Sequence, residues 1–301
     1  MLLDLSGQQF GQYTLREPIG KGGMATVYLA RQESMNRDVA IKVLATDLVS
    51  DPDFSDRFRR EAQTVANLQH THVLPVFDFG HEGQYVYLVM QLVTGGTLAQ
   101  EFADGPVPLR RANRLLTQIA SALTYAHNKG VIHRDLKPAN VLLDDQGNGY
   151  LTDFGIAKML AGTAQLTAPG RLMGTPAYMA PEQWLSQPVD ARTDVYALGM
   201  MLYETLVGLQ PFEANTPSAL MCDHVDKLTP GPVRYHPSMP TAVEPVIFKA
   251  IAKAPEYRYA SVREMADAFE RVVMRAPNPD YRPARSQRRA QDCKRARSRA
   301  R

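Results

Sequence analysis

His133-Arg134-Asp135-Leu136-Lys137-Pro138-Ala139-Asn140, followed by Asp153-Phe154-Gly155, is the stretch on which the reading turns. Gly130 ends a helical pattern, Val131-Ile132 is apolar, and Val141-Leu142-Leu143 is a short run of strand type. Asp144-Asp145-Gln146-Gly147-Asn148-Gly149 is turn chemistry, and Tyr150-Leu151-Thr152 leads into Asp153. The pattern predicts a loop entering a hairpin, with Asp153 returning beside the loop. Hard oxygen donors (Asn140, Asp153) suit Mg²⁺ carried on phosphates, Lys137 can offset charge on a transferred group, and Asp135 can accept a hydroxyl proton. One Asp alone would read as a turn residue or helix cap. The ordered set at these spacings does not.

The bulk properties allow such a site. A chain of 301 residues points to a two-lobed unit or two domains, and 45% hydrophobic with 22% charged residues is enough to build a core. The two cysteines, Cys222 and Cys293, fit neither a disulfide framework nor a zinc site. His70 and His72 are close enough for a metal pair, but they read better as part of a helix-to-strand connection. Residues 276–301 hold nine Lys/Arg and two Asp, about +7 of a net +3, leaving about −4 for residues 1–275. Met1 to Leu5 lacks a basic start and a sustained apolar run, so no signal peptide is expected. The apolar run Val195 to Tyr203 is too short to span a bilayer. A soluble chain is expected.

Outward from the central stretch, the segments read as follows. Residues 13–30 form two strands around a glycine-rich turn, Gly20-x-Gly22-x-x-Ala25, and Val39-Ala40-Ile41-Lys42 lies on the next strand. Asp51-Pro52 starts a helix whose Phe54, Phe58, Ala62, Val65 and Leu68 share one face, with Glu61 beside that stripe. Strands follow near 73–79 and 85–92. Residues 110–129 are an amphipathic helix with Leu115, Leu116, Ile119, Leu123 and Ala126 inward. A long segment from Asp153 ends in Gly174-Thr175-Pro176-Ala177-Tyr178-Met179-Ala180-Pro181-Glu182, and loops of this length usually carry function. Thr193 to Val207 is apolar on nearly all faces, as a central helix is. Helical patterns at 217–227, 241–253 and 261–274 complete the chain, the last opening on the capping box Ser261-x-x-Glu264. Residues 276–301 have proline, charge and no periodicity, the composition of a disordered tail.

His133-Arg134-Asp135 with Asn140, Asp153-Phe154-Gly155, the Gly20 turn, Lys42 and Ala180-Pro181-Glu182, in this order, resemble the protein kinases. Arg59-Arg60-Glu61-Ala62-Gln63 after the lysine strand resembles bacterial eukaryotic-like serine/threonine kinases, and Lys137-Pro138 is similar to the serine/threonine branch. The resemblance implies an α+β, two-lobed kinase fold over residues 13–275. The N-lobe of antiparallel strands and one helix runs to about residue 92 and the helical C-lobe over 93–275, with 1–12 an extension. ATP and Mg²⁺ (or Mn²⁺) are the implied cofactors. Ile19, Gly20, Lys21, Gly22, Gly23, Met24 and Ala25 would cover the phosphates, although Ala25 departs from the third glycine. Lys42, held by Glu61, would position the α- and β-phosphates. Val27, Ala40 and Leu142 would sandwich adenine, Met90 would be the gatekeeper, and Gln91 to Val93 the hinge. Asp135 would be the base, Lys137 the γ-phosphoryl partner, and Asn140 and Asp153 the metal ligands. Asp194 would anchor the catalytic loop, and Arg258 would pair with Glu182. Thr167, with Thr163 in reserve, would be phosphorylated against Arg134, while Thr175 would be structural.

The function implied is transfer of the ATP γ-phosphoryl group to Ser/Thr hydroxyls of proteins, with autophosphorylation. Three rivals follow from the same residues. A pseudokinase scaffold conflicts with retention of Lys42, Asp135, Asn140 and Asp153. A small-molecule phosphotransferase leaves Glu182, Arg258 and the 153–182 segment unexplained. Nucleic-acid binding has only the basic tail behind it. That tail also suits an anionic membrane surface, so the chain reads as cytoplasmic or as the cytoplasmic part of a membrane-anchored kinase. Self-association would serve autophosphorylation.

Overall fold

Strand periodicity of two sorts the small lobe's side chains onto two faces. The computed structural model describes residues 4–22, 25–45, 52–154, 176–237 and 239–278. Gly23, Met24, Gly155, Thr163, Thr167, Thr175 and the tail from residue 279 lie outside the described residues. The strands are β1 (Gln9–Phe10), β2 (Tyr13–Lys21), β3 (Ala25–Gln32), β4 (Arg37–Ala45), β5 (Val76–Glu82) and β6 (Tyr85–Met90). They form an antiparallel sheet in the order β1-β2-β3-β4-β6-β5. Val39, Ile41 and Val43 of β4 face an outer cluster with Tyr13, Leu15, Tyr28, Tyr87 and Val89. Leu44, Leu88 and Met90 face the opposite way, onto Phe58 and Ala62 of helix α1 (Pro52–Ala66).

Residues 4–12, set outside the domain on sequence, pack onto this lobe. Leu5 and Phe10 are each 1% exposed, β1 pairs with β2 (Gln9↔Thr14, Phe10↔Tyr13), and Phe10 meets the rings of Tyr85 and Tyr87. A strand of two residues has no periodicity by which a sequence could show it.

The large lobe is helical: α2 (Leu98–Glu101), α3 (Leu109–Asn128), α4 (Pro181–Trp184), α5 (Ala191–Val207), α6 (Pro217–Asp226), α7 (Val243–Ala250) and α8 (Val262–Arg275). A hairpin of β7 (Val141–Leu143) and β8 (Gly149–Leu151) lies under the cleft. Helix α5 is buried at every residue from Thr193 to Val207, starts on Asp190, whose side chain accepts Arg192 N–H, and stops at Gly208 with φ +75°. Helix α3 buries the five residues expected of it and ends before Gly130, also at φ +75°. Ser261 caps α8 by accepting Glu264 N–H at 3.1 Å, but the Glu264 carboxylate reaches back one residue further than the box requires, to Ala260 N–H at 2.9 Å. No described helix is long and apolar enough to cross a membrane.

The two lobes are stitched by the connection after α1. Leu151 N–H donates to His72 C=O at 2.8 Å and Leu74 N–H to Leu151 C=O at 2.9 Å. His70 lies 3.0 Å from Ser121 Oγ and His72 Nδ1 donates to Gly149 C=O at 3.0 Å, so both rings serve this connection. Among the described residues no group of three or more His, Cys, Asp or Glu is placed to hold a metal.

Candidate active site

The loop from Val131 to Asn140 has little regular structure of its own, so its shape comes from what it touches. Asp194, in the first turn of α5, accepts His133 N–H at 2.9 Å on Oδ2 and Arg134 N–H at 3.0 Å on Oδ1. His127, near the end of α3, adds a third contact at 2.7 Å to Oδ2. This third partner had no signal in the sequence, because a histidine at a helix end is equally at home in solvent. His133 is fully buried, its Nδ1 accepts Asp135 N–H at 3.4 Å, and its Nε2 therefore carries the proton given to Thr152 C=O at 2.9 Å. Its ring lies 4.7 Å from that of Phe154.

Asp135 is thereby presented at the cleft. Lys137 Nζ sits 2.7 Å from Asp135 Oδ2, and Asn140 Nδ2 donates to Asp135 C=O at 2.8 Å and to Oδ2 at 3.3 Å. With its nitrogen so used, Asn140 keeps its amide oxygen for another partner. The hairpin register Val141↔Leu151, extended by Thr152 N–H to Asn140 C=O at 3.0 Å, places Asn140 beside Asp153. The Asn140 amide oxygen and the Asp153 carboxylate are hard donors of the kind Mg²⁺ takes, its remaining ligands coming from phosphates and water.

From the small lobe, β4 brings Lys42 down opposite Val27 of β3 and Leu88 of β6. Lys42 Nζ is 2.8 Å from Asp153 Oδ1. The expected Lys42–Glu61 pair is not made in this structure. Glu61 is exposed, because α1 turns Phe58, Ala62 and Val65 into the core and the intervening position outward. Ala40 pairs with Met90 across β4 and β6, and Leu142, Val93 and Ala25 flank the cluster that contains Met90. Val27 is half-buried beside Gly20. Gln91 N–H is spent on Pro75 C=O at 3.0 Å, whereas Gln91 C=O and the Val93 backbone make no hydrogen bond among the described residues. They form a free donor–acceptor edge suited to a planar heterocycle. Above it, Ile19 and Lys21 are exposed, and Gly22 N–H closes the β2–β3 turn on Ala25 C=O at 2.8 Å.

Further from the cleft, Glu182 and Arg258 make a buried bidentate pair at 2.7 and 2.8 Å. The remaining guanidinium N–H groups go to the carbonyls of Arg192, Lys253 and Ala252, so all five donors are used. Burial opposes the Glu182 charge, but the Arg258 contacts, helped by Thr193 Oγ1 at 2.7 Å, hold its carboxyl below the usual range. Arg134 is exposed, with its side chain unpaired among the described residues. The threonines expected to answer it lie outside them.

A model of the protein kinase domain matches residues 13–269. The chain belongs to the protein kinase family. Its fold agrees: the crystal structure of the Mycobacterium tuberculosis PknI kinase domain, 32% identical, superposes with a TM-score of 0.72 over 89% of this chain and 98% of that one. Among curated relatives, the chain is 40% identical over 85% of its length to the serine/threonine-protein kinase PrkC of Bacillus subtilis. It is 42% identical over 87% of its length to the serine/threonine-protein kinase PknB of Mycolicibacterium smegmatis. The chain spans about two fifths of the length of these relatives, 39% and 43%. Kinases of this family use ATP with a divalent metal.

Proposed function

We propose that this chain is an ATP-dependent protein serine/threonine kinase. The observation that carries the reading is the Asp135–Lys137–Asn140 cluster, fixed by Asp194, with Asp153 on the same side of the cleft and Lys42 reaching Asp153 from the small lobe. In this reading the hydroxyl oxygen of a Ser or Thr side chain forms the new bond to the γ-phosphorus while the bond to the ADP oxygen breaks. Asp135 orients the hydroxyl and takes its proton. Lys137 neutralises charge on the transferred group, and Lys42 holds the α- and β-phosphates. Asn140 and Asp153 would hold Mg²⁺, or Mn²⁺, which offsets phosphate charge when bound. The Gln91 carbonyl and Val93 backbone bind adenine, between Val27 and Ala40 above and Leu142 below. Supporting the serine/threonine class are the Lys137-Pro138 pair and the names of PrkC and PknB.

Autophosphorylation is part of the proposal, with Thr167 the leading acceptor and the exposed Arg134 guanidinium its partner. So is attraction of the basic tail to anionic membrane lipid, which salt would screen.

Labelled ATP with Mg²⁺ and a Ser/Thr protein substrate tests the reading, followed by mapping of the modified residues. Phosphoserine or phosphothreonine is expected from the native chain. Asp135→Asn should lose about 10²–10⁴-fold in phosphotransfer and keep its ATP affinity. Near-normal turnover by that variant would overturn the assignment.

A further inference from the structure

Arg134 has φ +66°, a left-handed conformation that a residue with a Cβ keeps only where its surroundings hold it. The surroundings grip both of its peptides. On one side Asp194 Oδ1 takes Arg134 N–H at 3.0 Å. On the other, Gln183 Nε2 donates to Arg134 C=O at 2.8 Å. That carbonyl belongs to the peptide whose N–H is Asp135's, and the N–H points to His133 Nδ1 at 3.4 Å. The plane from which Asp135 departs is thus tied at its oxygen by Gln183 and at its hydrogen by His133.

The other end of the Gln183 amide is also used. Its Oε1 accepts Ala180 N–H at 3.0 Å, at the start of α4. One partner is a donor and the other an acceptor, which settles which end of the amide is oxygen and which nitrogen. The helix that carries Gln183 is itself immobilised, since the preceding residue, Glu182, makes the buried pair with Arg258. A rigid anchor in the large lobe therefore reaches the catalytic loop through one side chain.

We propose that Gln183 is a positioning residue for Asp135. It couples the Ala-Pro-Glu end of the 153–182 segment to the peptide preceding the base, and stabilises the left-handed turn at Arg134 that aims the carboxylate into the cleft. The structural clamp stands on these contacts alone, while its effect on turnover rests on the kinase reading.

Two variants of the full chain separate the clamp from the helix cap. Gln183→Glu keeps an oxygen for Ala180 N–H but replaces the donor by an oxygen facing the Arg134 carbonyl. Gln183→Met loses both bonds at similar length. Backbone hydrogen exchange of the peptide spanning residues 132–138 should become several-fold faster in both. Phosphotransfer kcat should fall about tenfold, the KM for ATP staying within about twofold, because the adenine edge is elsewhere. Part of the Gln183→Glu loss should return as pH is lowered toward the glutamate range, where a protonated carboxyl is again a donor. Native exchange and native kcat in Gln183→Glu would reduce Gln183 to a helix cap and overturn the proposal, as would faster exchange with unchanged kcat. A native chain that transfers no phosphoryl group sinks the kinase reading instead, and the exchange rates still decide the clamp.

Discussion

Lys42 Nζ and Asp153 Oδ1 stand 2.8 Å apart across the cleft, joining a strand of the small lobe to the hairpin of the large one. Each is partly shielded, with side-chain exposures of 17% and 24%. With phosphates on Lys42 and a metal on Asp153 this contact would loosen, and a second carboxylate beside the lysine would keep its ammonium group in place. Glu61, exposed on α1, is the carboxylate that the family resemblance assigns to Lys42, and reaching it requires α1 to turn inward.

Lys42→Met is expected to lower kcat/KM by at least about 10²-fold, and Glu61→Gln to reproduce a large part of that loss. The double variant should be little worse than Lys42→Met, since groups acting as a unit are not additive. Additive losses in the cycle would mean that Glu61 never meets Lys42 during turnover.

Asp194 concentrates three donors on one buried carboxylate, so Asp194→Asn puts an amide nitrogen against an N–H group. The expected cost is about 1–3 kcal/mol of stability, from a buried donor left without its acceptor. Turnover should fall with it, because Arg134 loses one of its two grips. Urea denaturation and single-turnover assays check the two effects separately. Retention of both would show that the loop holds its shape without α5.

Breaking the Glu182–Arg258 pair from either side leaves a buried charge, worth about 3–5 kcal/mol. Glu182→Ala and Arg258→Ala should each destabilise on that scale, and the double variant by clearly less than their sum. The carboxyl of Glu182 is held below its ordinary value of 4.5, so this contribution is present above that pH and is lost as acid protonates the folded carboxylate. Melting temperatures of the three variants at neutral pH test it.

His224 supplies the acid sensitivity nearer neutrality. It is fully buried on α6, its Nδ1 lies 2.9 Å from Tyr196 OH, and Lys253 Nζ donates to its carbonyl at 2.7 Å. Burial first, and then the Lys253 charge, push its pKa down from 6.5 to about 4. Between those values the unfolded chain takes up a proton that the folded chain refuses, so stability falls as pH falls. The loss from pH 7 to pH 5 should be on the order of 2 kcal/mol from this group. His224→Phe should flatten that part of the curve in denaturant titrations. An unchanged slope would place the acid sensitivity elsewhere.

Much of the architecture could be read before any coordinates. The five inward residues of α3, the buried run of α5 and the loop–hairpin order around Asp135 follow from periodicity, glycine stops and turn chemistry, all of them properties of neighbouring residues. Two of the differences are short or shifted features: β1, with only Gln9 and Phe10, and the Glu264 carboxylate bonding Ala260 rather than Ser261. Such details depend on the path of the chain on either side, which periodicity does not describe.

Local sequence set which chemical groups are available and which short segments present them: Lys42 on a strand, Asp135 to Asn140 in a loop, Asp153 beyond a hairpin. The choice among partners came from packing. Lys42 had two carboxylates to choose from, and the outward face of Glu61 on α1 left it to Asp153. Asp194 gathered His127 as well as the loop it faces, and Gln183 found a carbonyl 49 residues earlier in the chain. A hydrogen bond or ion pair exists only within a few ångströms, and separations that small between distant segments are set by how whole helices and strands pack, a property that no local pattern carries.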